Sequence, residues 1–495
     1  MKKPKWQDNK ISKSARWLGL ISLALALLTA CNNEDGNRYQ PDISSQLPED
    51  VIPHFSTAQT DEYTNNDFDY FSWQVFIALN WPAADSGTAS ELNIGEAPSA
   101  FRVWEYFTDS TTPFDTSSST ENSNYTSAIL SFTSRDSLQA RSLAPLVDLN
   151  GNYFLYSASI NDVMVDYLTI NNLTTAEGLA SFGTTSKALF FPTGSMELKQ
   201  SWRIFPDDAT QDLLDRYYVR NAQVIVSDDD SDTGEGFTIN NLKIGLIAMH
   251  ITYKTPNFDT WVWSTFEHVD LTQGEYIFVE QGEIGNITSN RVPNEVATGE
   301  APKSDEDIND IPTYNYKWLN PSTSGQPMAG LYENTLIARA PNEGSLPESM
   351  NQIWQEVLPH PWANYQLVAT QRMNQSGDNA APLTDGEVSI VRNIASETYI
   401  IADLSALTHV SQVPAVDRLD ACQENPESSR SIALELALNE WNYPNNDTET
   451  AKSNASCMAC HGYISFKYGA NDEDVIFTDY SYIFVENITE TSCDD

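Results

Sequence analysis

A C-x-x-C-H sequence near the C-terminal end, Cys457-x-x-Cys460-His461, sets the strongest limit on how this chain can fold. Two thiols at this spacing can form thioether bonds to the vinyl groups of a haem, and the adjacent histidine then binds the iron. Residues 462–495, which follow the motif, contain neither Met nor His. We therefore expect one covalent haem c whose distal side is either supplied by earlier residues or open.

Two other kinds of site use cysteines at this spacing. A redox-active dithiol is expected at a strand-to-helix junction of thioredoxin type, and the surrounding sequence lacks that pattern. A zinc site needs further ligands nearby, but the preceding histidine is His409. The late position of the motif favours a haem built into a larger fold over an appended class I cytochrome module. A class II four-helix bundle is the other arrangement, although the preceding residues are rich in Pro, Asn and Asp.

The N-terminus has the pattern of an export signal that ends at a lipid-attachment cysteine. Basic residues dominate residues 1–16, and a short apolar run follows over residues 17–28. A helix of about 12 residues, rising about 1.5 Å per residue, is too short to cross a hydrocarbon core of about 30 Å. The sequence before Cys31 resembles the lipobox of bacterial lipoproteins, where cleavage precedes an acylated cysteine. We predict a signal peptide over residues 1–30 and lipid attachment at Cys31, with an ordinary export signal as the alternative.

The composition agrees with an acidic exported protein. The chain has 69 Asp and Glu against 27 Lys and Arg, a formal net charge of −42. Removing residues 1–30 takes away six basic residues and one acidic residue, which changes the net charge to −47. Phosphate contacts need a basic surface, so we expect no nucleic-acid partner. The 11% aromatic content excludes disorder of the whole chain.

These observations predict a location and two kinds of partner. The lipid would hold the protein in the cell envelope, facing the periplasm or on the outer membrane, and Asn32 after the cysteine favours the outer membrane. The membrane is then one partner, and a redox protein is the second. Two cysteines have no role in lipid or haem attachment, Cys422 and Cys493. An oxidising compartment favours a disulfide between them, worth about 4 kcal/mol, and two free thiols are the alternative.

The pattern of apolar residues predicts the α+β class, with a large β-rich body, helical segments and a C-terminal haem-bearing helical part. The predicted organisation is a signal peptide over 1–30, a polar tether over 31–60, a β-rich domain over 61–340 and a helical haem c-binding region over 341–495. A helix is predicted at about 67–80, with Asn66 or Asp67 as its N-cap. Strands are predicted at 153–157, 188–191, 217–226, 244–253 and 261–269, and further helices near 347–358, 388–398 and 430–441.

Two of the six histidines, His250 and His268, lie on a predicted hairpin around a Pro256-Asn257 turn. Side chains alternate along a strand, so the register decides whether the two imidazoles meet. A register that pairs His250 with Thr265 places them on opposite faces, whereas a shift of one residue or a bulge places them on the same face. Both are candidates for the distal side of the haem, and hydrogen-bonded core histidines are the alternative interpretation.

A second candidate pair lies earlier, where Glu197 and Lys199 are two residues apart in a possible strand and so share a face. They would either line a pocket or form a surface ion pair. No Gly-rich phosphate-binding loop and no G-x-S-x-G elbow is present, so no catalytic residue is identified.

The sequence resembles bacterial exported proteins identified as members of the cytochrome c family. The resemblance covers much of residues 70–465. It rests on Phe71-Ser72-Trp73-Gln74, Leu79-Asn80-Trp81-Pro82, Val103-Trp104-Glu105, Ser456-Cys457-Met458-Ala459-Cys460-His461, and residues 195–202, 245–255 and 261–270. This chain departs from the pattern at Leu271, where Asn is expected after Asp270. The resemblance implies haem and export, and it implies no particular reaction.

Three functions fit these expectations. The first is electron transfer by a six-coordinate, low-spin haem. The second is a haem enzyme of peroxidase or oxygenase type, with an open distal site and a polar residue such as His250, His268 or Glu197 beside it. The third is a binding or sensor protein. The chain is larger than a simple carrier needs, while a single haem lacks the second electron source that a peroxidase usually has. We expect electron transfer, and the sequence leaves open whether the protein is an enzyme.

Overall fold

A computed structural model of the chain describes only part of the sequence. The described residues are 41–55, 63–115, 128–132, 146–147, 152, 154–226, 228, 231, 233–271, 294–297, 334–337, 346–374, 381–382, 393, 395, 465–468, 474–479, 481–484 and 488. The chain divides into two compact units, 1–42 and 43–495, and of the first only residues 41 and 42 are described. The structure of the second unit is described below.

Among its described residues the second unit contains five α-helices, three short 3-10 helices (Val103–Tyr106, Thr112–Phe114 and Trp362–Asn364) and fifteen strands. The α-helices are α1 (Asn65–Leu79), α2 (Asp162–Ile170), α3 (Ala176–Gly183), α4 (Gln211–Leu214) and α5 (Glu348–Gln355). The first eight strands are β1 (Thr108–Asp109), β2 (Ala128–Phe132), β3 (Leu146–Val147), β4 (Leu155–Ile160), β5 (Met196–Ile204), β6 (Val219–Val226), β7 (Phe237–Thr255) and β8 (Phe258–His268). The others are β9 (Asn294–Ala297), β10 (Asn334–Ile337), β11 (Tyr365–Gln371), β12 (Met373–Asn374), β13 (Ala381–Pro382), β14 (Ser465–Lys467) and β15 (Val475–Phe477).

The main sheet is organised around β7, which is 19 residues long. One edge of β7 pairs with β5, which is followed by β4 and β1. The other edge pairs with β6 along its first half and with β8 along its second half. Strand β2 extends the sheet beyond β6 and β11 extends it beyond β8. Six of the seven strand pairings in this sheet are antiparallel, and the pairing of β2 with β6 is parallel. With the helices, this confirms the predicted α+β class.

Helix α1 begins with a capping box, in which Thr64 is the N-cap and Asp67 is the reciprocal partner at position N3. The prediction of Asn66 or Asp67 as the cap was therefore wrong. The Asp67 carboxylate is 1% exposed. It accepts hydrogen bonds from the Thr64 backbone at 2.7 Å, from the Phe55 backbone at 2.9 Å and from the backbone N–H of His54. The cap thus also binds the chain that precedes the helix, within the predicted polar tether.

Helix α1 covers one face of the main sheet with aromatic side chains. Phe76 stacks on Phe266 with ring centroids 4.2 Å apart, and Phe71 stacks on Tyr253 at 5.9 Å. Helix α5 packs beside α1, where the Trp73 indole N–H donates to Asn351 at 3.1 Å. Most residues of α1 are buried, including all of Tyr70 to Trp73 and Val75 to Leu79, so the helix lies inside the core and not at its surface.

A second core lies between α2, α3 and the end of the chain. We call residues 465–484 the C-terminal segment; its described part includes β14 and β15, which pair as a hairpin. Phe466, Phe477 and Phe484 pack in one buried cluster with Ile160 and Trp263 of the main sheet. Ala188 forms an isolated parallel bridge with Phe477, in place of the strand predicted at 188–191.

The predicted boundary at residue 340 does not coincide with a division into compact units. Strand β11 lies after that position and pairs with β8, and the C-terminal segment contributes to the same buried cluster as β4. The four other predicted strands overlap β4, β6, β7 and β8, and the helix predicted near 347–358 contains α5. Of the helices predicted at 388–398 and 430–441, only residues 393 and 395 are described. Within the described ranges no helix is both long and apolar enough to span a bilayer.

The capping arrangement makes a first prediction. Replacing Asp67 by Ala leaves several buried donors without their acceptor, so we expect the free energy of unfolding to fall by about 3 kcal/mol. Urea unfolding followed by tryptophan fluorescence measures this change. Asn66→Ala is the matched control, because Asn66 is exposed in the first turn of the helix. Equal effects of the two substitutions would contradict the assignment of the cap.

Candidate functional site

The strand register collects polar side chains on the face of the main sheet opposite to α1. Lys199 pairs with His250, and His250 pairs with Thr265. In the next row on one side, Ser201 pairs with Ala248 and Ala248 with Glu267. On the other side, Glu197 pairs with Thr252 and Thr252 with Trp263. We call this surface the polar face; it consists of Tyr156, Glu197, Lys199, Ser201, His250, Thr252, Thr265 and Glu267.

Most of the polar face is withdrawn from solvent. Glu267 and Ser201 are fully buried, Thr265 is 4% exposed, and Glu197, Lys199 and His250 are half-buried. Antiparallel sheets often have one solvated face, and polar residues there need no partner. Buried polar groups are instead expected to be hydrogen-bonded. The polar face is therefore largely withdrawn from solvent, with its most deeply buried members on β5 and β8.

Residues from the last part of the chain lie over the polar face. The Asn393 amide donates to the Thr265 hydroxyl at 2.8 Å and to the Phe266 carbonyl at 3.0 Å. The Tyr156 hydroxyl donates to the Ala395 carbonyl at 2.9 Å. The Ser481 hydroxyl of the C-terminal segment donates to the Glu197 carboxylate at 2.8 Å. Chain segments on both sides of the C-x-x-C-H motif thus contact this surface.

His250 lies near the centre of the polar face. Its surroundings lower the pKa of the imidazole to about 3, mainly through burial and further through the positive charge of Lys199. The ring is therefore neutral near pH 7. A neutral imidazole is the form that binds a metal ion or accepts a proton. His250 could thus act as a metal ligand, whereas so low a pKa makes it a poor proton acceptor near pH 7.

His268 lies on the opposite face, because the hairpin adopts the register that pairs His250 with Thr265. Its ring stacks on Tyr217 with centroids 3.8 Å apart. Nδ1 accepts a hydrogen bond from the Asp270 backbone at 3.1 Å, so the proton lies on Nε2, which donates to the Arg216 carbonyl at 2.9 Å. Both nitrogens are engaged, and the two histidines cannot share a metal ion. A distal role for His268 stays a prediction that requires one of these bonds to break.

The other predicted site residues lie outside the described residues. These are Cys31, Cys422, Cys457, Cys460, His461 and Cys493. Within the described ranges no group of three or more His, Cys, Asp or Glu side chains could hold a metal ion. Comparisons of this chain with known protein families, with curated proteins and with solved structures find no match. The function must therefore be inferred from the motif in the sequence and from the polar face among the described residues.

The polar face contains residues that the sequence did not single out. Thr265 and Glu267 follow Trp263 at spacing two in β8, so strand alternation could have identified them. Asn393 and Ser481 reach the surface from distant parts of the chain, and no local pattern marks them. Glu197 and Lys199 share a face as predicted, and Glu197 is bonded to Ser481.

Acid should destabilise the protein partly through His268. Burial lowers the pKa of His268 to about 4, although Asp270 opposes this shift. In the unfolded chain the imidazole gains a proton near pH 6.5, whereas in the folded chain it stays neutral to about pH 4. Stability is therefore lost as the pH falls through this window, by on the order of 3 kcal/mol for a shift of this size.

The measurement is urea unfolding of the wild-type protein and the His268→Gln variant at pH 6.5 and pH 4. The variant is expected to be less stable at pH 6.5 and to lose less stability on acidification. An identical loss in both proteins would show that His268 is not held neutral in the fold.

Proposed function

We propose that this protein is a lipid-anchored c-type cytochrome that carries one covalent haem and transfers electrons at the cell envelope. The observation that carries the proposal is the packing of Phe466, five residues after His461, in the cluster that contains Trp263. Trp263 pairs with Thr252 of the polar face. A motif that attaches haem is therefore joined by a short link to a core that borders a covered polar surface.

Chain length limits where the motif can lie. The four-residue step from His461 to the first residue of β14 spans at most about 14 Å when fully extended. His250 is two residues from Thr252 along β7, a separation of about 7 Å. The proposal thus puts the haem at the polar face, with His461 as the proximal ligand and His250 on the distal side.

The haem would supply a reversible one-electron change of its iron. The protein residues would hold it and set its surroundings. Cys457 and Cys460 attach the haem, and the neutral imidazole of His250 is suited to bind or face the iron. The lipid at Cys31 keeps the protein at the membrane, and the acidic surface favours a positively charged redox partner.

A haem enzyme is the second candidate, and one observation favours it. Glu267 and Tyr156 lie on the same face as His250, and Glu267 is fully buried. A carboxyl group and a phenol beside an open iron site could move protons during catalysis. The two functions differ in whether the sixth position of the iron is occupied.

Haem attachment tests the proposal directly. Replacing Cys457 and Cys460 together by Ala removes both thioether bonds, so we expect complete loss of the haem stain that survives denaturing electrophoresis. Cys422→Ala is the control and should keep the stain. A stain that persists in the double variant, or is absent from the wild-type protein, would contradict the proposal.

The distal ligand is tested by absorption spectra of the reduced and oxidised protein. If His250 binds the iron, the wild-type spectrum is low-spin and unchanged by carbon monoxide, and His250→Ala converts it to a high-spin form that binds carbon monoxide. His268→Ala should leave the low-spin spectrum in place. A wild-type haem that binds carbon monoxide would instead support the enzyme, and an unchanged spectrum in His250→Ala would exclude His250 as the ligand.

A further inference from the structure

The C-terminal segment is tied to the body of the protein by hydrogen bonds as well as by apolar packing. The Phe477 backbone N–H donates to the Lys187 carbonyl and the Leu189 N–H donates to the Phe477 carbonyl, both at 2.9 Å. The Tyr468 hydroxyl donates to the Gly183 carbonyl at 2.8 Å. These contacts begin seven residues after His461, so any group held by the motif is attached to a segment with a defined position.

One buried ion pair joins this segment to the long central strand. Nζ of Lys254 lies 2.7 Å from Oδ2 of Asp479, and the two side chains are 3% and 1% exposed. The Phe191 backbone N–H donates to the same carboxylate oxygen at 2.8 Å, and the Trp261 indole donates to the Asp479 carbonyl at 3.0 Å. The Lys254 ammonium also lies 5.5 Å from the Trp261 ring centroid. The charges are thus paired and hydrogen-bonded inside an aromatic environment.

The backbone around this pair is held in an unusual conformation. Asp479 has φ 51° and Trp261 has φ 71°. Both values lie in the left-handed region, which residues other than glycine adopt uncommonly. Such residues persist where the surrounding contacts over-determine them. The backbone of Lys254 is itself fixed, because its N–H donates to the Ser195 carbonyl at 3.0 Å and its carbonyl accepts from the Gly194 N–H at 2.7 Å. The fixed backbone of Lys254 therefore holds Asp479, and with it the C-terminal segment, in one position.

We propose that Lys254 and Asp479 are positioning residues that orient the haem-bearing end of the chain over the polar face. This rests on the proposed function, since it assumes a haem at Cys457 and Cys460. A buried ion pair adds little net stability, but loss of one partner leaves an uncompensated charge inside the protein. The pair instead specifies the position of the C-terminal segment. Other positions are disfavoured because they would leave the buried charge of Lys254 without Asp479. The haem then keeps one orientation relative to His250.

The test uses the mature, haem-loaded protein in two single variants, Asp479→Asn and Lys254→Met. Covalent haem per polypeptide should equal that of the wild-type protein, because the attachment cysteines are intact. The circular dichroism of the Soret band should change in amplitude by at least about twofold, and the electron paramagnetic resonance spectrum should show more than one haem species. Glu105→Gln is the matched control, since Glu105 and Arg220 form a buried ion pair 3.0 Å apart at another place in the fold. Its haem spectra should be those of the wild-type protein.

If a single variant does not fold, Lys254→Met combined with Asp479→Leu removes both charges and retains apolar bulk, and it should show the same haem spectra as predicted for the single variants. Unchanged Soret dichroism and a single wild-type haem species in the folded variants would overturn the positioning role. Equal spectral changes in Glu105→Gln would also overturn it, because the effect would then be one of general destabilisation. Absence of haem from the wild-type protein would contradict the proposed function instead.

Discussion

The register of β7 against its neighbours determines what each face of the main sheet presents. This one strand pairs with β5, β6 and β8, so its alternation is imposed on three partners. A slip of one residue would turn His250 toward the aromatic side chains of α1 and would bring Tyr253 to the other face. The apolar contacts of Phe71 and Phe76 with the sheet oppose such a slip, since they bury large aromatic side chains only in the observed register.

The two faces of the sheet have different chemical roles as a result. On one side α1 and α5 form an aromatic core, which stabilises the body. On the other side, the second core ends at Trp263 and gives way to a covered surface of ionisable and hydroxyl side chains. Burying polar groups costs free energy unless they are hydrogen-bonded. Asn393, Ala395 and Ser481 each form one such hydrogen bond with the polar face. Described residues on both sides of the C-x-x-C-H motif therefore cover part of the polar face.

The features that the sequence predicted correctly are those with local signals. The stripe of aromatic residues identified α1, and the Pro256-Asn257 turn identified the hairpin that carries His250. The cap was misplaced because Thr64 and Asp67 act as a reciprocal pair, which a search for a single capping residue does not recognise. The Lys254–Asp479 pair joins residues 225 positions apart, and no pattern in either neighbourhood marks it. Strand alternation could identify Thr265 and Glu267 of the polar face. Asn393 and Ser481 reach this face through long-range contacts, which no local pattern predicts.

We propose that a haem held by Cys457, Cys460 and His461 lies against the polar face. Anomalous X-ray scattering at the iron edge, from crystals of the haem-loaded protein, locates the metal without assumptions about its ligands. We predict one iron peak on the polar face of the sheet, nearer to the His250 ring than to the His268 ring. An iron peak on the α1 side of the sheet, or no iron peak in the correctly processed protein, would contradict the proposed haem site.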